Sequence, residues 1–184
     1  KINYFLDIGA NCGYYSFIVG KNVKNISIIA FEPNEEAFFK FSKSLDINSD
    51  LSKKINLHNF GLSNVSKKLK MQTMVKFGYA QTGGAGVTNN DNNFQNQSFF
   101  FADFKIGDEN LNLDNEKLSL KIDVEGHELK VLEGINNTLT NNKCILQIEI
   151  FEKNFQSVNN YLLSMKYKKI FEFKHRSNFF YTNF

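Results

Sequence analysis

Lys121-Ile122-Asp123-Val124-Glu125-Gly126-His127-Glu128 sets two carboxylates, a glycine and a histidine directly behind an apolar strand. Residues 118–122 read as that strand, and a helical pattern begins at Glu128. The polar residues between them therefore fall at the carboxyl edge of a sheet, where open α/β folds bind their ligands. The stretch reads as the reacting end of a parallel-sheet enzyme.

Upstream, Tyr4-Phe5-Leu6-Asp7-Ile8-Gly9-Ala10-Asn11-Cys12-Gly13-Tyr14-Tyr15-Ser16 runs from an apolar strand through a small-residue turn into a helix-compatible segment. Gly9 and Gly13 let the backbone approach a ligand, and Asn11, which tolerates positive φ, can take the kinked position between them. Amides at the start of the helix then face a ligand carboxylate. About 20 residues further on, Ile28-Ile29-Ala30-Phe31-Glu32-Pro33-Asn34 is a second strand ending in an acid, placed where such folds hold a ribose diol. The first loop has the pattern GxNxG, not the GxGxxG that cradles a dinucleotide pyrophosphate, so adenosine joined to an amino acid fits better. The bland alternative is a tight turn stabilised by Asp7 and Asn11 that holds no ligand.

Through these three motifs the chain resembles the S-adenosylmethionine-dependent methyltransferases of the FkbM type, from about Tyr4 to Glu149. The resemblance implies a Rossmann-like class I methyltransferase fold. That is an α/β architecture with a mostly parallel seven-stranded sheet, an antiparallel C-terminal strand and helices on both faces. It implies S-adenosyl-L-methionine as cofactor, held by Asp7, Gly9, Ala10, Asn11 and Gly13 in the loop, by Glu32 and Pro33 at the ribose and by Asp123 beside the expected methyl position. Tyr15 and Ser16 would approach the methionine end, or Tyr15 would serve core packing. Gly61 and Leu62, in the run Phe60-Gly61-Leu62-Ser63, lie where related enzymes hold adenine. Phe60 and Leu62 could sandwich the base or belong to the core.

A chain of 184 residues suits one domain and can bury roughly 70% of its unfolded surface without disulfide staples. Twenty phenylalanines and no tryptophan point to an aromatic core. Runs such as Phe99-Phe100-Phe101 and Phe179-Phe180-Tyr181 must put rings on both faces of a strand, some of them facing a partner subunit in a homo-oligomer. The net charge of +3 is small and dispersed, which argues against a nucleic-acid partner. Cys12 and Cys144 lack CxxC spacing and read as free thiols of a reducing compartment, neither of them a nucleophile. No apolar run reaches the roughly 18 residues of a membrane span, and no signal-peptide layout precedes the first strand, so no membrane partner is expected and cytoplasmic is the default location. The chain opens at Lys1 without a methionine, so a natural N-terminal extension is open.

Residues 35–45 carry Phe38, Phe41 and Leu45 at helical spacing behind Pro33, which suits a helix entrance. Residues 55–59 form a third short strand. Residues 69–77 and 99–106 read as extended, and residues 82–87 break regular structure ahead of a polar stretch at 89–97, which reads as a mobile loop. Residues 79–117 are expected to be an insertion that carries substrate specificity. Leu129, Leu132, Ile135 and Leu139 form a helical stripe that Gly134 kinks or ends, and residues 144–151 form the next strand. Phe155, Val158, Leu162 and Met165 mark the last helix. Residues 167–173 and 178–182 then pair as a hairpin around residues 174–177.

Methyl transfer from a sulfonium is an in-line displacement, so the enzyme's contribution is chiefly to hold and align the nucleophile. A poorly acidic alcohol gains from a general base. Asp123, Glu125 and His127 are the catalytic candidates, with Glu149 available nearby. Asp123 and Glu125 are favoured over the alternative that they merely cap the next helix. His127 is either a base or a turn residue facing solvent, and Glu128 complements a helix dipole. The acids and histidine could hold a cation, yet their spacing matches no known geometry, and no metal site is assigned. His58 and His175 read as structural or surface groups.

The leading expectation is O-methylation of a hydroxyl on a sugar, glycan or small natural product. A nicotinamide-dependent oxidoreductase would share the sheet and Glu32. A degenerate binding module that uses its aromatic hairpin as an interaction surface is the non-enzymatic alternative.

Overall fold

The structure, a computed structural model, describes residues 1–89, 96–173 and 177–184. β1 (Tyr4–Ile8) leads through the glycine turn into α1 (Tyr14–Asn22), and β2 (Ser27–Phe31) into α2 (Glu35–Asp46). The single turn α3 (Ser49–Ser52) precedes β3 (Ile55–His58). Next come β4 (Gly61–Ser63), β5 (Lys67–Lys76), β6 (Tyr79–Ala80), β7 (Gly86–Val87) and β8 (Gln97–Ile106). β9 (Lys117–Ile122), α4 (Glu128–Gly134), α5 (Asn136–Asn141) and β10 (Lys143–Glu149) follow. The chain closes with α6 (Glu152–Ser164), β11 (Lys168–Phe173) and β12 (Asn178–Thr182).

The main sheet has seven strands in the order β3-β2-β1-β9-β10-β12-β11, parallel except for β12, which is antiparallel to both its neighbours. The fold is the α/β class I methyltransferase architecture expected from the sequence. The antiparallel strand lies one place in from the edge. α6 carries the chain across to β11 parallel to β10, and the hairpin return of β12 fills the gap between them. His175 and most of the hairpin turn lie outside the described residues.

Alternation along each strand sends side chains to two cores. Leu6 and Ile8 of β1 join Val131, Leu132, Leu139, Val158 and Leu162 under α4, α5 and α6. Phe5 joins Ala30 and Phe41 under α1 and α2. Asp7, two residues from Phe5, shares that second face and stays fully buried. α2 starts where Asn34 accepts a hydrogen bond from the Ala37 amide at 3.1 Å, just after Pro33. The stripe from Leu132 to Leu139 breaks because Gly134 ends α4 against β4. A Cβ there would sit 1.9 Å from the Ser63 carbonyl oxygen, so only glycine permits the approach.

The extended runs between β3 and β9 form a second sheet, β4-β8-β5-β6, with β7 also on β5. β5 and β8 pair antiparallel from Lys67↔Phe104 to Met74↔Gln97, and β4 runs parallel beside the end of β8. Met71, Ala102 and Phe104 form its small core with Phe100, while Phe101 on the opposite face is 68% exposed. Most of the polar stretch expected as a loop, residues 90–95, lies outside the described residues. Among the described residues no helix is long and apolar enough to cross a membrane.

Candidate active site

The turn after β1 holds three left-handed residues, Gly9 (φ 80), Asn11 (φ 49) and Gly13 (φ 87). Gly9 is required twice over: its φ suits glycine, and a Cβ would lie 1.9 Å from the backbone oxygen of Asp123. The amides of Gly9 and Ala10 both donate to the Phe31 carbonyl at 3.0 Å, and the Asp123 amide donates to the Ile8 carbonyl at 3.0 Å. These bonds tie the carboxyl ends of β1, β2 and β9 together, so the three motifs converge.

Glu32, only 6% exposed, lies at the centre of that convergence. Its Oε2 accepts the Asn11 amide and its Oε1 the Asn34 amide, each at 2.7 Å. Burial pushes its carboxyl up to about 7 even though both amides favour the ionised form.

A cavity of about 140 Å³ opens beside it. Gly9, Asn11, Glu32 and Pro33 line one wall, with Gly61 and Leu62 at the adjoining edge. Asp123, Glu125 and His127 line the floor. Asp7, Ala10, Gly13, Tyr15 and Ser16 are not in the lining. Ser16 is buried and gives both its amide (3.1 Å) and its hydroxyl (2.6 Å) to Asp7 Oδ2, leaving Asp7 Oδ1 buried without a hydrogen-bond partner among the described residues. Ala10 packs in the core, Gly13 adjoins the Phe41 ring, and Tyr15 lies beneath the Lys121 ammonium, 4.7 Å from its ring centre.

In the acidic turn, Lys121 Nζ donates to Asp123 Oδ2 at 2.9 Å. Glu125 adopts a positive φ of 52, and its carboxyl is pushed up by burial first and by neighbouring Asp123 and Glu128 next, while the Gly84 amide counteracts this. Glu149, at the end of β10, is pushed up by burial and then by Asp123 and Glu125. Glu128 reaches back from the start of α4 to accept the Gly126 amide at 2.7 Å. His127 Nε2 lies 2.9 Å from Ser63 Oγ, and burial lowers its pKa to about 4, so the ring is neutral near pH 7. Phe60 belongs to the core, against Phe31 and His58, and does not face the cavity. His58 stacks on Phe31 at 5.1 Å. Both cysteines are free, Cys12 exposed and Cys144 buried. Among the described residues no three of His, Cys, Asp and Glu are placed to hold a metal ion.

Much of the rest of the cavity comes from Met71, to which the sequence assigns no role, and from residues of the expected 79–117 insertion, none of which it singles out. Met71 and Phe104 of the second sheet line it, together with residues 82–85 and Val87. Thr82 is tied to the first loop by a 3.0 Å bond from Asn11 Nδ2 to its carbonyl oxygen. Lys121 and Ser63 stand inside quoted motifs, but only the folded arrangement shows what each one meets. A charged residue between Leu120 and Ile122, one position from the end of the strand, was the available signal for Lys121.

The sequence profile of the methyltransferase FkbM domain matches residues 7–169. Among solved structures, a methyltransferase FkbM from Methylobacillus flagellatus KT superposes with a TM-score of 0.67 at 17% identity, over 98% of this chain and 43% of that one. The chain thus spans less than half the length of that protein. An rRNA methylase from Streptococcus thermophilus gives 0.54 at 12% identity, over 98% and 85% of the two chains. Sp1610 of Streptococcus pneumoniae, solved in complex with S-adenosyl-L-methionine, gives 0.54 at 14%, over 99% and 65%. At these identities the likenesses speak for the fold alone. No curated protein matches the sequence significantly.

Proposed function

The chain belongs to the FkbM methyltransferase family, and from that premise we propose that it moves a methyl group from S-adenosylmethionine to a hydroxyl of a sugar, glycan or small natural product. The observation that carries the proposal is the meeting of Glu32 and Asp123 across one cavity. Each Glu32 oxygen takes one backbone amide and keeps a lone pair, which suits the two hydroxyls of a ribose as donors. Asp7 lies outside the cavity lining, but its Oδ1, buried and without a hydrogen-bond partner among the described residues, suits the amino group of an amino acid through a bridging water. The residues present therefore fit an adenosine joined to an amino acid.

When bound, the cofactor supplies the electrophilic methyl. The protein supplies alignment and a proton acceptor. Lys121 fixes Oδ2 of Asp123, which leaves Oδ1 to take the proton from an acceptor hydroxyl in the cavity. Glu125, its affinity for protons raised by burial, is a second acceptor on the same floor. His127, neutral and paired with Ser63, orients that part of the wall and is the weaker base.

Calorimetry with S-adenosylhomocysteine and with NAD tests the cofactor half. Binding of the first alone is expected, and NAD binding or no binding by either overturns it. Labelled methyl transfer to a panel of glycans and small hydroxylated compounds tests the acceptor half. An O-methylated sugar or alcohol recovered by mass spectrometry is expected, and methyl groups recovered only on nitrogen or carbon would refute O-transfer.

A further inference from the structure

Lys121 is buried to 6% exposure in the middle of the sheet's reacting edge, a costly place for an ammonium that serves only packing. The strand register sets it directly beside Asp7 of β1 and Gln147 of β10. Asp123, two residues on, shares its face and takes its hydrogen bond, and α1 covers it with the Tyr15 ring. Carboxylates thus approach this one cation from several elements. Asp7 comes from β1, Glu32 from the end of β2, Asp123 and Glu125 from the turn after β9, and Glu149 from the end of β10.

Resting on the methyltransferase reading above, we propose that Lys121 is a positioning residue: its ammonium pins Asp123 for the acceptor and supplies the countercharge for Asp7, its neighbour across the sheet. The two tasks follow from a single placement. Lys121 acts directly on Asp123 through the 2.9 Å bond, and through space on the rest. Asp7, Glu32, Glu125 and Glu149 are each pushed up by burial, and Lys121 draws Asp7 back toward the ionised form more than any other neighbour does, while on Glu32, Glu125 and Glu149 it acts only weakly. Asp7 in turn opposes ionisation of Glu32, so removing the cation acts on Glu32 both directly and by leaving Asp7 uncompensated.

The experiment is S-adenosylhomocysteine calorimetry from pH 5.5 to 8.5 on the wild type, Lys121→Arg and Lys121→Met. Wild-type affinity is expected to rise with pH about a midpoint set by the buried carboxylates Asp7 and Glu32 together. Arginine should keep that midpoint, whereas methionine should move it upward by roughly half a pH unit or more. A packing role would weaken binding equally at every pH. An unmoved midpoint in Lys121→Met, or an equal shift in Lys121→Arg, overturns the inference. Should Lys121→Met not fold, Lys121→Gln in an Asp123→Asn background, compared with Asp123→Asn alone, carries the same comparison. Wild-type protein that binds no S-adenosylhomocysteine at any pH would instead overturn the methyltransferase reading itself.

Discussion

The two walls of the cavity are built by opposite means. The wall around Glu32 comes from turns that each follow their own strand, so every functional residue sits within a few positions of the apolar run that places it. The wall formed by Met71, residues 82–85 and Phe104 depends on β5 and β8 pairing residue 67 with residue 104. The first wall is rigid because main-chain bonds lock three strand ends together. The second is held by the β5–β8 ladder, and it meets the first wall through side-chain tethers such as Asn11 to Thr82. Substitutions at the main-chain-locked turn of the first wall should therefore damage cofactor binding and folding together, and loosening the tether to residues 82–85 should reach neither.

Gly9→Ala puts the largest load on that contrast. A methyl at φ 80, 1.9 Å from a backbone oxygen that cannot swing aside, should cost roughly 4 kcal/mol of stability and abolish S-adenosylhomocysteine binding. Chemical denaturation and calorimetry read both. A loss below 1 kcal/mol would mean that the first wall yields as readily as the second.

Asp123→Asn comes next and separates binding from chemistry. The amide keeps the shape and can still meet Lys121 through its oxygen, but it no longer takes a proton. Turnover should fall on the order of a hundredfold to ten-thousandfold while S-adenosylhomocysteine affinity changes by less than about fivefold. Single-turnover transfer to the identified acceptor measures it, and unchanged turnover would move the base to Glu125.

Glu32→Ala should lower cofactor affinity by about 2–3 kcal/mol through lost charge-assisted bonds to the ribose. The pH dependence has a definite sign. In the free protein Glu32 rises from 4.5 to about 7, so the native state holds the proton more tightly than the unfolded chain. Its contribution to stability is whole below pH 4.5 and is lost as the pH climbs through 7, on the order of 3 kcal/mol. Ribose hydroxyls donate to the ionised form, so cofactor affinity should rise over that same interval. Glu32→Gln should flatten both slopes, and parallel slopes in the variant and the wild type would place the titration elsewhere.

The same contrast governs what could be read from the sequence. The left-handed Asn11, the acidic end of β2 and the Asp123 turn were legible because each is set by a strand, its turn and the few residues between. The existence of extended segments at β5 and β8 was legible too. Their pairing was not, since alternation of Lys, Leu and Met in β5 defines a strand face without naming the partner that covers it. The Ser63–His127 contact was hidden for the same reason: it spans 64 positions and depends on Gly134 letting α4 close on β4. Ser16 shows a subtler limit. Its place near the loop followed from the motif, but its engagement with Asp7 depends on the pitch of α1 over β1.

Asn11→Gly should have the smallest effect and sharpen the comparison furthest. Glycine keeps the φ of 49 and the amide that donates to Glu32, and it deletes only the side-chain bonds to the Thr82 carbonyl and the Cys12 amide. Stability should drop by about 1 kcal/mol or less and cofactor affinity by less than about threefold. Residues 82–87 lose a tether and should exchange their amide hydrogens several-fold faster, with the β1, β2 and β9 ends unchanged. Faster exchange at those strand ends as well would mean that the two walls open as one unit, and that the tether bears on cofactor binding after all.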